Sequence, residues 1–206
     1  MALTTLVKIS NVTNLSDARY CAGMGVDMLG FSMDAESTDY VEPKKFEEIK
    51  SWVAGVQIVG ETTSIDPEVI EQLLDVYQPD VLQIDESALL PYLSSFDKPL
   101  ILRINLSLVT FNQLDTLFSA GPVTADYVLF ESTGSVHLDA DLKTLLIRIA
   151  SRNAVLLGTG ISADNVHDLL AELPVRGIAL SGGDEERPGN KEFGELMDIL
   201  EAIEEE

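Results

Sequence analysis

Val155-Leu156-Leu157-Gly158-Thr159-Gly160 is an apolar run that stops on two glycines, and Ser162-Ala163-Asp164-Asn165-Val166 follows at once as a helix start. Ile178-Ala179-Leu180-Ser181-Gly182-Gly183 then repeats the first pattern. A short β-rich run, a helical segment over 162–173 and a second short run make a strand–helix–strand unit, the connection that parallel strands require. The same alternation recurs toward the N-terminus. Apolar runs lie at 6–9, 28–31, 56–59, 81–84, 100–104, 127–130, 155–157 and 178–180. Between and after them lie segments of helical period. The first is capped by Asn14 or Ser16 and runs to Met24; the others cover 43–53, 65–77, 87–93, 107–118, 139–151, 162–173 and 192–203. Eight strand–helix pairs in 206 residues predict an α/β fold. The expectation is a single (β/α)8 (TIM) barrel domain over 1–206, ending in an acidic C-terminal helix and tail. An open doubly wound sheet is the alternative, but no GxGxxG follows the first run.

Periodicity also predicts the packing. Ile65, Val69, Leu73 and Val76 form one stripe of the 65–77 helix, and Phe46 and Trp52 fit the core side of the 43–53 helix. Phe193, Leu196, Leu200 and Ile203 do the same in the last helix, and Cys21 is expected to pack in the core. His167 is expected at the surface or as a histidine with its hydrogen bonds satisfied, and His137 in a solvated loop.

Composition narrows the function classes. The chain is 46% hydrophobic, enough for a sizeable core despite a net charge of −22. Between Asp184 and Glu206 alone there are ten acidic and two basic residues. Such a balance argues against nucleic acid, whose phosphates need a basic face. No apolar run approaches the roughly 18 residues of a membrane span, and the opening MALTTLVKIS is unlike a secretory signal. A single cysteine, Cys21, cannot form an internal disulfide or an all-cysteine metal site. The expected setting is the cytoplasm, without a membrane partner.

In a barrel, chemistry gathers where strands end and loops begin. At the last two strand ends, Thr159 and Gly160, then Ser181, Gly182 and Gly183, offer backbone N–H groups that can approach an anion closely. They point to a phosphate site and hence to a phosphorylated small-molecule ligand. Glu61, Asp85, Glu86 and Glu131 are strand-end carboxylates that could form an acid/base set or hold a cation. Their spacing matches no metal motif, so no metal is expected.

The chain resembles the phosphoribosylanthranilate isomerase family of tryptophan biosynthesis. Val7-Lys8-Ile9-Ser10-Asn11-Val12-Thr13, continuing to Asp17-Ala18, is similar to the family's KICG-x-T-x-x-x-DA opening. Gly25-Val26-Asp27 with Gly30-Phe31 resembles its GAD-x-x-GF second strand, and Asp80-Val81-Leu82-Gln83 its DxxQ-L-H-G fourth. Gly160, Asn165-Val166, Ser181-Gly182-Gly183-Asp184-Glu185 and Pro188-Gly189-Asn190-Lys191-Glu192 resemble its SSGVE…PGxKD end. The resemblance runs in order through nearly the whole chain. It implies a cofactor-free Amadori rearrangement, in which the aminoaldose phosphoribosylanthranilate becomes an aminoketose, by a monomer or homodimer. A diverged phosphometabolite-binding barrel and an enzyme for another phosphorylated sugar are the alternatives.

Carried over position by position, the family's general base, a cysteine, falls on Ser10, and its general acid, an aspartate, on Glu131. Its second-loop arginine falls on Asp39, its histidine after strand four on Asp85 and its acidic residue of strand eight on Ala179. Its strand-five lysine falls on Arg103, which keeps the charge. Arg103, Gly134, Thr159, Gly160, Ser181, Gly182 and Gly183 are the implied substrate- and phosphate-binding residues. These departures have physical weight. A serine hydroxyl is a far weaker acid than a thiol and needs a partner to act as a base. Strand alternation is taken to send Lys8 to the face opposite Ser10, leaving it a poor activator. Glu131 is one methylene longer than aspartate. Asp39 puts negative charge where an anion would approach. Weak or lost activity is the expectation.

Overall fold

The apolar runs become strands because β-branched and bulky residues fill both faces of a sheet that is covered on each side. In a computed structural model, which describes residues 2–134, 136–182, 185–187, 190–191 and 194–205, these strands are β1 (Leu6–Ser10), β2 (Met28–Ser32), β3 (Gln57–Glu61), β4 (Val81–Ile84), β5 (Leu100–Asn105), β6 (Tyr127–Glu131), β7 (Val155–Gly158) and β8 (Gly177–Ser181). They pair in parallel in chain order, and β8 returns to β1 to close the barrel. A short antiparallel pair, β9 (Glu185–Arg187) and β10 (Asn190–Lys191), follows. The helices are α1 (Leu15–Gly23), α2 (Pro43–Trp52), α3 (Pro67–Tyr77), α4 (Leu90–Leu93), α5 (Phe111–Ser119), α6 (Ala140–Ala150), α7 (Val166–Glu172) and α8 (Gly194–Ala202). The (β/α)8 expectation holds. Among the described residues no helix is long and apolar enough to cross a membrane.

Local chemistry sets the helix starts. Asn14 caps α1 by accepting from the Asp17 N–H, and Asp66 caps α3 ahead of Pro67. The expected 107–118 helix begins later, at Phe111. Thr110 and Gln113 form a reciprocal capping box there, and 107–110 remain loop. The α7 helix likewise starts at Val166, not Ser162, because 163–165 turn before it.

The two faces of the sheet carry different cores. Outward residues such as Val7, Ile9, Phe31, Ile84 and Phe130 pack under the helices. Inward residues Met28, Val59, Val81, Ile101, Leu129, Leu156 and Ala179 fill the barrel. Phe31, Phe46 and Tyr77 stack edge-to-face at centroid distances of 5.4 and 5.1 Å, which ties α2 and α3 to β2.

Two packing expectations fail. Ile65, Val69 and Val76 are exposed, and the buried residues of α3 are Ile70, Leu74 and Tyr77. The helix offers two apolar registers one residue apart. Tyr77 decides between them, packing on Phe46 while its hydroxyl donates to the Val41 carbonyl oxygen at 2.9 Å. Trp52 is 64% exposed. It is the last residue of α2, where the chain turns extended at Val53, and Phe46 with Ile49 makes the buried face. Leu196, Leu200 and Ile203 are buried as expected, and Ile199 with them; Phe193 lies outside the described residues. Cys21 is fully buried, and burial pushes its thiol up to about 12, with Asp17 adding to the rise.

The amino ends of the strands share one device. Asp27, Asp80 and Asp126 each stand just before an even-numbered strand. They accept from the N–H groups of Val7, Ile58 and Leu100, each at 2.8 Å. This end is for stability, which leaves the opposite mouth for chemistry.

Candidate active site

At the carboxyl ends of the strands the inward positions turn polar. Lys8 and Ser10 on β1, Glu61 on β3, Gln83 on β4, Arg103 and Asn105 on β5 and Glu131 on β6 converge there. Lys8, fully buried, donates to Glu61 Oε1 at 2.5 Å and to Ser10 Oγ at 2.7 Å. Ser10 Oγ in turn donates to Glu131 Oε1 at 3.0 Å. Glu61 Oε2 accepts from the Asn11 N–H at 3.3 Å. A hydrogen-bonded chain Glu61–Lys8–Ser10–Glu131 thus crosses the barrel floor.

The chain corrects the expectation for Lys8. Lys8 and Ser10 are two residues apart, a full period of a strand, so their side chains share the inward face. Ser10 therefore has two hydrogen-bonding partners where none was expected. Two glycines make the room. A Cβ on Gly30 would overlap Glu61 Oε1 and lie 2.9 Å from Lys8 Nζ. A Cβ on Gly158 would lie 2.7 Å from Glu131 Cγ, so this glycine accommodates the longer carboxyl side chain.

Burial pushes the Glu131 carboxyl above its ordinary value, and the Glu61 carboxylate pushes the same way. Lys8, Arg103 and the Ser10 hydrogen bond pull against them without winning. Arg103 holds Asp85 in a fork, Nε to Oδ1 at 2.8 Å and Nη2 to Oδ2 at 2.6 Å, and its Nη1 lies 3.7 Å from Glu131 Oε2. Lys8 and Arg103 thus answer Glu61, Asp85 and Glu131, while Glu86 accepts from the Ala88 N–H at 3.0 Å. Among the described residues no group of three potential metal ligands forms.

A trough runs across this mouth. Its broad end, a cleft of about 890 Å³, lies between the loop after β2 and α3, and reaches Glu61, Gln83, Asp85 and Arg103. Its middle, about 160 Å³, is bounded by Asn11, Arg103, Glu131, Gly158 and Ser181. The far end, about 360 Å³, is lined by Thr159, Gly160, Ser181, Gly182 and the first turn of α8.

The structure therefore brings Ser10, Glu131 and Arg103 together at the centre, with Thr159, Gly160, Ser181 and Gly182 beside them. Gly134 stands apart from that group. Its N–H is engaged by Ser107 Oγ at 3.0 Å and Ser132 Oγ at 3.2 Å, within the β5–β6 loops. Gly183 lies outside the described residues. His137 and His167 are exposed, as expected. Lys8, Glu61 and Gln83 are the site residues that reading the sequence undervalued. Counting by two from Ser10 would have found Lys8. Glu61 and Gln83 carry only the weaker signal of polar residues ending apolar runs.

Fold and site together define a (β/α)8 barrel with its ionisable groups gathered at the carboxyl ends of the strands, the layout of enzymes of this architecture. The family model of N-(5'-phosphoribosyl)anthranilate (PRA) isomerase matches residues 7–202, and the chain belongs to that family. The N-(5'-phosphoribosyl)anthranilate isomerase of Nitrobacter winogradskyi is 25% identical over 213 residues, covering 97% of this chain and 93% of its own. The crystal structure of the phosphoribosyl anthranilate isomerase from Thermus thermophilus superposes with a TM-score of 0.77 at 23% identity, covering 96% of this chain and 98% of its own. A phosphoribosyl anthranilate isomerase in complex with reduced 1-(o-carboxyphenylamino)-1-deoxyribulose 5-phosphate superposes equally well, at 0.77 with 19% identity and coverage of 97% and 98%.

Proposed function

We propose that the protein binds a phosphorylated amino sugar along this trough and catalyses an Amadori-type isomerisation, the reaction of its family in tryptophan biosynthesis, at a much reduced rate. The observation that carries this reading is the hydrogen bond from Ser10 Oγ to Glu131, at the two positions where the family resemblance puts base and acid. Glu131, held toward its protonated form, donates to the ring oxygen as the C1–O bond of the aminoaldose opens. The proton on C2 then leaves to Ser10 Oγ, while Ser10 passes its own proton to the Glu131 carboxylate. The ring oxygen has gained a proton, C2 has lost one and Glu131 is restored; the enol formed tautomerises to the aminoketose. The phosphate sits toward Thr159, Gly160, Ser181 and Gly182, which line the far end of the trough and offer backbone N–H groups to an anion. The relative that binds a reduced deoxyribulose phosphate supports a ligand of that kind.

Two features slow the reaction. A hydroxyl is a poorer proton acceptor than a thiolate, and the Lys8 ammonium on Ser10 Oγ lowers its basicity further. A positioned acid or base is worth about 10²–10⁴-fold, so the rate should fall at least about 10²-fold below that of a Cys/Asp enzyme. Steady-state kinetics on phosphoribosylanthranilate, with complementation of an auxotroph lacking this isomerase, test the reading. Ser10→Cys with Glu131→Asp should recover part of the rate. Normal growth of the auxotroph and a wild-type kcat of about 1–10³ s⁻¹ would reject the slow-enzyme reading. No turnover together with no binding of ribose 5-phosphate would reject the whole.

A further inference from the structure

Outside the mouth, a separate groove of about 600 Å³ lies between the turn after β4 and the face of α5, over the outward side of β5. Pockets for small molecules span roughly 300–1,000 Å³. The β4–β5 connection leaves this groove open. It makes a single α turn, Leu90–Leu93, flanked by short 3₁₀ turns, so the outer ring of helices is thin beside α5. Leu102 and Ile104 of β5 form the base, Leu114 and Leu117 of α5 one wall, and Leu108, 77% exposed, the lip. Among the described residues lining the groove, Asp85 is the only charged one, in a chain whose net charge is −22. The Asn105 and Gln113 side chains at its edge are engaged in the loop after β5 and in the α5 cap. Asp85 is also the one residue that lines both this groove and the broad end of the trough. Arg103 donates to each of its oxygens, at 2.8 and 2.6 Å, yet the side chain is 34% exposed. A carboxylate offers about four acceptor positions, so the fork leaves about two for another donor.

We propose that this groove is a second ligand site, and that it takes a small apolar molecule bearing one ammonium group, whose body lies on the leucines while the ammonium shares Asp85 with Arg103. Charge selects this class. An anion would meet the carboxylate and the acidic field of the whole chain, and a neutral apolar molecule would cover the leucines without answering Asp85. An ammonium on an apolar body satisfies both. The ligand acts on the trough without entering it. Arg103 Nη1 lies 3.7 Å from Glu131 Oε2, and a second cation on Asp85 loosens the fork that holds the guanidinium there. The two cavities are thus coupled through one ion pair, and the coupling runs both ways: whatever draws Arg103 off Asp85 strengthens the hold on the ammonium. None of this depends on which reaction the trough performs.

Titration calorimetry on the whole chain with phenylbutylamine, phenylbutanol and phenylbutanoate tests it, since the three share one apolar body and differ in charge. The amine should bind wild type at least about fivefold more tightly than the alcohol, and the carboxylate more weakly than either. Asp85→Asn should weaken the amine at least about fivefold and leave the alcohol within about twofold. Arg103→Gln, which leaves Asp85 to the ammonium alone, should strengthen the amine at least about threefold. Thr116→Trp, which puts an indole into the groove from α5, should weaken amine and alcohol alike. In wild type the Arg103 Nε–H resonance should move as the amine saturates. An alcohol that binds wild type as tightly as the amine overturns the proposal, and so does an amine that fails to saturate at millimolar concentration. Undiminished amine binding by a folded Asp85→Asn chain overturns it too, because attraction to the net charge alone gives that result. Undiminished binding by a folded Thr116→Trp chain puts the amine elsewhere and also overturns it. An Arg103→Gln chain that gains nothing rejects the shared carboxylate, and the proposal falls with it.

Discussion

Ile9 and Lys8 are neighbours in sequence and opposites in environment. Ile9 points out of the barrel into the apolar layer under the helices, where Val7, Phe31 and Phe130 surround the same sheet. Lys8 points inward to a carboxylate and a hydroxyl. Both are almost completely buried. The outer layer is held by area and shape, which tolerate conservative exchange. The inner layer is held by partners, and a partner cannot be exchanged alone. The proposed chemistry uses the inner layer, where, among the described residues, Lys8, Glu61 and Glu131 are sheltered and lie at the trough.

Substitutions on the two faces should separate these modes, and the largest effect belongs to the ion pair. Glu61→Leu leaves the Lys8 ammonium buried and unpaired and should cost about 3–5 kcal/mol in urea unfolding. Adding Lys8→Met should restore most of it. A double variant as unstable as the single would mean that shape, not charge, governs the inner layer too. Next comes Gly30→Ala, which pushes a methyl group into the Lys8–Glu61 pair and should cost about 1–3 kcal/mol. Ile9→Val, on the outward face of the same strand as Lys8, should cost about 0.5–1.5 kcal/mol and leave catalysis unchanged.

The smallest effect is a pH dependence. The Glu131 carboxyl titrates above its ordinary value in the folded chain, so ionising it costs stability. The molecule is relatively favoured below the unfolded carboxyl range, about pH 4.3, and loses that advantage as pH rises through the raised value. Glu131→Gln should therefore be more stable than wild type at pH 7. The gain should shrink to nothing on acidification below that range, as read by the difference in urea midpoints. A variant less stable than wild type at pH 7 would show that Lys8 and Arg103 outweigh burial at Glu131.

The outward face was legible in the sequence, because continuous apolar runs between helical segments name the strands and count the barrel. Ser10, Glu131 and the glycines after β7 and β8 were legible as strand ends and by resemblance. The packing of α3 was not, since Val69-Leu73-Val76 and Ile70-Leu74-Tyr77 are both helical stripes and only contact with Phe46 chooses between them. Lys8 was assigned to the wrong face although a period of two fixes it. The pairing of Glu61 with Lys8 and of Arg103 with Asp85 depends on strand register and barrel closure, which join residues 53 and 18 positions apart.

The buried thiol of Cys21 has a use of its own. It is the thiolate that attacks an alkylating reagent, and this sulfur sits on the buried face of α1 with its ionisation pushed up to about 12. Labelling at pH 8 should therefore proceed only in molecules whose first helix has lifted from the barrel. As the one cysteine in the chain, it is a built-in clock. The rate at which a maleimide adds to the untouched protein, read by mass spectrometry, times the excursions of that helix without a probe having to be introduced.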